Sequence, residues 1–375
     1  MGRRGRGAGP TGVRAPATGC DEISPMGASD ELVFVGGYTA DKGGDGEGIV
    51  RLRRDPATGE LTRSGVVART PSPSFLTRHP ALPVLYAVNE LDPDGTVSAF
   101  TVDAAGDLTP LASRPTGGSD PAHLAVTGDG RHLLVANYGT GSVAVFPLDA
   151  DGAPGERTDL LTLTGSGPVA DRQAGPHAHM VFPLRDEVLI ADLGSDKVWR
   201  ARLDPVAGRL TLLAPAVSAP PGTGPRHVRF SPDGALFVVG ELSGELTWWR
   251  PGADGSLDLA GRAATTTAEG ENYPSEVVVR PDGRFVYVAN RGPNTVTTFA
   301  WDGAAATLVA ETPAGGDWPR HMILVGDHLY VTNQRSRSVT TLRIDPETGV
   351  PVAPAASAAE PTPTCLLRWS VVEGR

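Results

Sequence analysis

Charged and polar side chains recur along this chain at matching points of a repeated pattern. Arg226 and His227 stand before one apolar run, and Glu241 closes the next. The same two places are held by His123 and Asn137, by His179 and Asp192, by Glu276 and Asn290 with Arg291 behind it, and by His321 after Arg320, paired with Asn333. Phe75 and Cys365 fill the first place in two further copies, while Glu90, Tyr138 and His177 flank the pattern. A histidine or glutamate with a pKa near neutrality can draw a proton from water, and a guanidinium can hold an anionic group or a developing oxyanion. That chemistry suits hydrolysis or isomerisation of a small acid or ester. The sequence has no Gly-x-Ser-x-Gly elbow, no His-Glu-x-x-His pair and no Walker loop. Arginines within the set would repel a divalent cation, so neither a metal nor another cofactor is expected.

Residues so far apart in sequence meet only if the fold gathers them. Ser231-Pro-Asp-Gly234 is a turn sequence midway between His227 and Glu241. An antiparallel hairpin closed there brings the start of its first strand and the end of its second to one edge. Apolar runs like the second strand recur at spacings of roughly fifty residues, as in LVFVGGYT from Leu32, HLLVANYG from His132 and RFVYVANRG from Arg284. Each is followed by a second alternating run and then by a glycine turn into a further strand. Each is also preceded by a strand such as PAHLAVTG from Pro121, except in the N-terminal copy, for which PTCLLRWS from Pro363 supplies the missing strand.

Seven copies of four strands predict an all-β fold, a seven-bladed β-propeller closed by a C-terminal strand joining the N-terminal blade. The first strand of each blade lines the central channel. Phe75, His123, His179, His227, Glu276, His321 and Cys365 should therefore converge on one mouth, with Glu90, Asn137, His177, Arg226, Arg291 and Arg320 around them. Repeated Asn and Asp at strand ends also commonly satisfy turn backbones. Glu241 and Arg291 depart from what the repeat places there elsewhere, and so have less structural reason to be present.

Composition narrows the partners. With 375 residues and a formal charge of −10, the chain repels nucleic acid and anionic membrane surfaces at long range, although local arginines leave room for a small anionic ligand. Its 47 glycines and 34 prolines suit many short strands and turns. Two cysteines, Cys20 and Cys365, suggest no disulfide framework and fit a reducing, cytoplasmic compartment. No run approaches eighteen apolar residues. Residues 1–30, rich in Arg, Gly and Pro, read as a disordered tail before a propeller over residues 31–375. No coiled-coil segment forces association, and a monomer is expected.

The pieces VGGYT with GEGI, PSFL with LYAVNE, PAHLAV with ANYGTGSVAVF, GPHAHMV with DLGSDKV, GPRHVRFSPDG with GELS, YPSEVVVRPDGRFVYVANRG, and WPRHM with TNQRS together resemble the lactonase family of seven-bladed propellers from Glu31 onward. The resemblance implies hydrolysis of 6-phospho-D-glucono-1,5-lactone to 6-phosphogluconate in the pentose phosphate route, without a required metal. It further implies His179 as the catalytic group nearest the reacting ring, Glu241 as its acid/base partner, and Arg226 and Arg291 as the anion-holding pair. His123, Asn137, His177, His227, Glu276, Arg320, His321 and Glu90 would line the substrate. Fold alone does not fix the substrate. Another sugar-lactone or muconate-type enzyme using the same funnel stays open, as does a non-catalytic propeller that binds a partner by its rim.

Overall fold

Short runs of β-branched and aromatic residues between glycine and proline turns form strands here, because their stiff side chains pack on a pleated sheet while the turns break each run. The computed structural model describes residues 31–369 apart from 253–255, 353 and 355. These residues form seven four-stranded antiparallel sheets, one of which carries an extra two-residue strand, Val217–Ser218. The expected tail over residues 1–30, with Cys20, lies outside the described residues.

The ring is closed as the sequence implies. Pro363–Trp369 forms the inner strand of the first blade and pairs antiparallel with Glu31–Gly37, Leu32 facing Trp369 and Gly36 facing Cys365. The apolar core is divided into layers between neighbouring blades. Leu134, Val143 and Val145 of blade 3, for instance, pack against Val181, Val188 and Ile190 of blade 4. Each fully buried side chain of this kind contributes about 1.5–3 kcal/mol. A single blade would leave both faces wet, so each relies on its neighbours. Buried tyrosines tie blades together at their outer turns: Tyr86, Tyr287 and Tyr330 donate to the carbonyls of Gly152, Gly349 and Gly59 at 2.7, 2.9 and 2.7 Å. Those three glycines sit at φ 85, 70 and 73°, where a side chain would be strained.

Two local features set up the mouth of the channel. In blades 3 to 7 the pairing between the inner strand and its neighbour shifts register near the inner strand's start, between Pro121 and His123, Ala178 and Met180, Pro225 and Val228, Pro274 and Glu276, and Pro319 and His321. Such bulges re-aim side chains. The second feature is a one-turn helix, Ala170–Gln173, in the connection from blade 3 to blade 4.

Candidate active site

The bulged strand starts and the ends of the second strands meet at one mouth, where the side chains form two tiers. In the outer tier a single carboxylate gathers three guanidiniums. Glu241 follows the strand Leu236–Gly240 and is almost wholly buried. Its Oε2 lies 2.9 Å from Arg226 Nε and 2.7 Å from Arg291 Nη2, and its Oε1 accepts from Arg172 Nη2 at 2.7 Å. Backbone carbonyls fix the arginines further: Arg291 Nε donates to Tyr273 at 2.9 Å, and Arg226 Nη1 donates to Ser275. Beside them Arg320 Nη2 donates to the Tyr38 hydroxyl at 2.6 Å, which in turn donates to Glu90 Oε1 at 2.7 Å.

The inner tier is made of rings. His227 meets His179 and His123 in T-shaped contacts with centroids 5.2 and 5.6 Å apart, and Phe75 lies 4.2 Å from His123 and 5.3 Å from His321. Beneath them Glu276, fully inaccessible, brings Oε2 to 3.0 Å from His227 Nδ1 and 3.3 Å from His321 Nε2. A narrow cavity among Phe75, His179, Arg226, His227, Arg320 and His321 has about 10 Å³ of room for water, close to what one molecule needs. A larger groove of about 820 Å³ opens at the other end of the ring between blades 3 and 4, lined by Asp129, Arg131, Phe182, Arg185 and Glu187. Its charges are mixed and it gathers no comparable set.

Electrostatics assign states to these groups. Burial opposes charge on Glu241, but Arg291 and Arg226 outweigh it and hold the carboxyl well below its ordinary range. Burial and the neighbouring Arg291 lower Arg226 to about 9, which still leaves it cationic at neutral pH. Burial pushes His123, His179 and His227 well below the usual histidine value, and His321 to about 4. The imidazoles are therefore neutral at pH 7. Burial raises the Cys365 thiol, which suits packing and not nucleophilic attack. Among the described residues no three His, Cys, Asp or Glu side chains form a group able to hold a metal ion.

His123, His179, His227, Glu276, His321, Arg226, Glu241, Arg291, Arg320 and Glu90 are thus brought together. His177 stands at the rim, stacked on Tyr138 at 4.5 Å and bonded to its carbonyl oxygen at 2.9 Å. Asn137 is not in the funnel: its amide donates to Ser142 Oγ at 3.1 Å inside its own blade, and the side chain is fully inaccessible. Asn290 does the same with Thr295 and Thr297, so the repeated asparagine satisfies strand ends. The hairpin argument placed His227 beside Glu241, whereas the bulge gives that contact to Arg226 and turns His227 toward Glu276. Arg172 and Tyr38 were missed. Arg172 lies in a connection outside the repeat, and the sequence signal for Tyr38 was its place within VGGYT, just past the end of a second strand.

A closed ring of seven four-stranded blades that gathers buried guanidiniums and imidazoles at one mouth defines a seven-bladed β-propeller with a charged central funnel. The family described as "Lactonase, 7-bladed beta-propeller" matches residues 32–368, and the chain belongs to it. It is similar to a 6-phosphogluconolactonase of Formosa agariphila, 32% identical over 84% of this chain and 93% of the relative. The 6-phosphogluconolactonase of Bacillus subtilis is 31% identical over 89% of this chain and 97% of the relative. The solved periplasmic gluconolactonase of Pseudomonas aeruginosa superposes with a TM-score of 0.84 at 31% identity, covering 92% of this chain and all of the other.

Proposed function

We propose that the protein hydrolyses 6-phospho-D-glucono-1,5-lactone to 6-phosphogluconate, acting in the cytoplasm as a monomer within the pentose phosphate route. The observation that carries the choice of a phosphorylated lactone is the charge of the outer tier. Arg172, Arg226, Arg291 and Arg320 face Glu241 and Glu90, four guanidiniums against two carboxylates, and the neighbouring imidazoles are neutral. The surplus of two positive charges matches a phosphate dianion, and buried guanidiniums bind phosphate oxygens in pairs. Two of the relatives carry the corresponding name.

In this reading the arginines hold the phosphate and the oxyanion that forms when water attacks the lactone carbonyl. Glu241 arranges the guanidiniums; with its charge committed to three of them it is a poor proton acceptor, and the proton of the attacking water goes to an imidazole of the inner tier. His179, next to the Glu241 cluster, contacts the lactone ring. The test is a coupled assay with freshly made 6-phosphogluconolactone beside unphosphorylated gluconolactone. Each charge-assisted hydrogen bond to the phosphate is worth about 1.5–3 kcal/mol, so a preference of roughly 100-fold in kcat/KM for the phosphorylated lactone is expected. Equal turnover of both would favour a broader sugar lactonase, and turnover of neither would favour a partner-binding propeller.

A further inference from the structure

Below the arginines, the hydrogen bonds around Glu276 decide where two imidazoles carry their protons. The backbone N–H of Leu366 donates to His321 Nδ1 at 3.2 Å. A backbone amide can only donate, so Nδ1 holds a lone pair and the His321 proton sits on Nε2, toward Glu276 Oε2. The same oxygen lies 3.0 Å from His227 Nδ1. A carboxylate only accepts, so the His227 proton sits on Nδ1 and its Nε2 keeps a lone pair. That Nε2 is completely buried and has no partner in the protein. The His227 ring lines the cavity that has about the room of one water, together with the His179 ring 5.2 Å away, whose Nδ1 is also buried without a partner. Glu276 is itself anchored: Oε1 accepts the N–H of Val277 at 3.1 Å, and Arg229 Nη2 lies 3.8 Å away.

We propose that His227 is the general base of the lactonase, with Glu276 and His321 as the residues that fix its tautomer. The inference rests on lactone hydrolysis and not on which lactone is used. Water in the cavity gives its proton to His227 Nε2 as its oxygen bonds to the lactone carbonyl carbon. The carbonyl electron pair moves onto the oxygen held by the guanidiniums. When that pair returns, the bond from the acyl carbon to the ring oxygen breaks, and the ring oxygen takes the proton from His227. The products are the open hydroxy acid and the neutral imidazole. Glu276 stabilises the transient imidazolium and keeps Nδ1 protonated throughout. A water-activating base needs a free lone pair beside an enclosed water site, and Nε2 of His227 keeps one because the partner at Nδ1 cannot donate.

The test uses the full chain and whichever lactone the wild type turns over faster. For His227→Gln, kcat should fall at least 100-fold with KM changed less than threefold, since a general base typically contributes 10²–10⁴. Glu276→Gln can present an amide N–H to Nδ1, which forces the proton onto Nε2, and kcat should fall by a similar factor while the fold persists by circular dichroism. Nitrogen-15 spectra of histidine-labelled wild type at pH 7 should assign His227 to the Nδ1–H tautomer. The assignment comes from the signal lost in His227→Gln or, if that variant does not fold, from the signal that changes tautomer in Glu276→Gln. His227→Gln retaining more than a tenth of wild-type kcat overturns the proposal, as does an Nε2–H tautomer in the wild type. A wild type inactive on both lactones removes the hydrolytic reading itself, a result distinct from active wild type with an active variant.

Discussion

Glu241 has two possible uses, as a proton acceptor or as the anchor for three guanidiniums, and the geometry favours the second. Two of its partners, Arg226 and Arg291, are nearly inaccessible, so removing the carboxylate charge leaves cations buried without compensation. Breaking a buried pair in this way costs roughly 3–5 kcal/mol. Glu241→Gln should therefore lose stability of that order in urea unfolding, together with at least a 100-fold loss in kcat/KM. Near wild-type behaviour in both measurements would remove Glu241 from the machinery. The imidazoles make a second prediction. A base with a lowered pKa stays neutral as pH drops below 6.5, so the acid limb of the kcat profile should lie below the ordinary histidine value.

Stability follows the same shifts with a definite sign. The unfolded chain takes up protons on histidine near pH 6.5, whereas folded His321 resists down to about 4. Its contribution is present above 6.5 and is lost as pH falls toward 4, a span corresponding to roughly 3 kcal/mol. Glu360, raised by burial to about 7 against the pull of Arg63, acts in the opposite sense and weakens the fold as pH rises. Urea unfolding of wild type and His321→Gln between pH 7.5 and 4.5 isolates the His321 part, because His123, His179 and His227 contribute to the fall in both chains while only the wild type adds the share of His321.

Among the elements, the one-turn helix Ala170–Gln173 contributes the only guanidinium of the Glu241 cluster that reaches solvent, with the Arg172 side chain 37% exposed. A partly exposed ion pair contributes about 1 kcal/mol or less to stability. Arg172→Ala should then raise KM severalfold with kcat and unfolding free energy little changed; an equal loss in kcat would give Arg172 a part in the transition state. This helix also marks where sequence reading ran out. The blades were legible because alternation and glycine turns are local signals repeated seven times, and the missing first strand could be found at Pro363 by the same pattern. Arg172 belongs to PVADRQAG, which follows no repeat. The bulges could not be counted from the sequence, and one extra residue decides whether Arg226 or His227 faces Glu241. Asn137 looked like its charged counterparts at the mouth, yet a short amide reaches back into its own blade where the longer glutamate reaches forward.

At the scale of the whole molecule, the site depends on closure of the ring. The funnel takes groups from all seven blades, Tyr38 following the strand Glu31–Gly37 of blade 1, and its geometry holds only while blade 1 presses blades 2 and 7 inward. That blade is completed by Pro363–Trp369, whose Cys365, Leu366 and Trp369 are buried against both neighbours, and Leu366 also gives the N–H that sets the tautomer of His321. Losing three such side chains costs about 5–8 kcal/mol, comparable with the whole stability of an ordinary domain. It also bares the edge of Glu31–Gly37, a template for pairing with other chains. A chain ending at residue 361 should therefore show no cooperative thermal transition, associate on sizing columns and lack lactonase activity. A peptide spanning residues 360–370 can add to the open edge as a strand, and when supplied in excess it should restore both the transition and measurable turnover. Cooperative melting of the truncated chain by itself, with activity intact, would mean that the blades hold the funnel without the final strand.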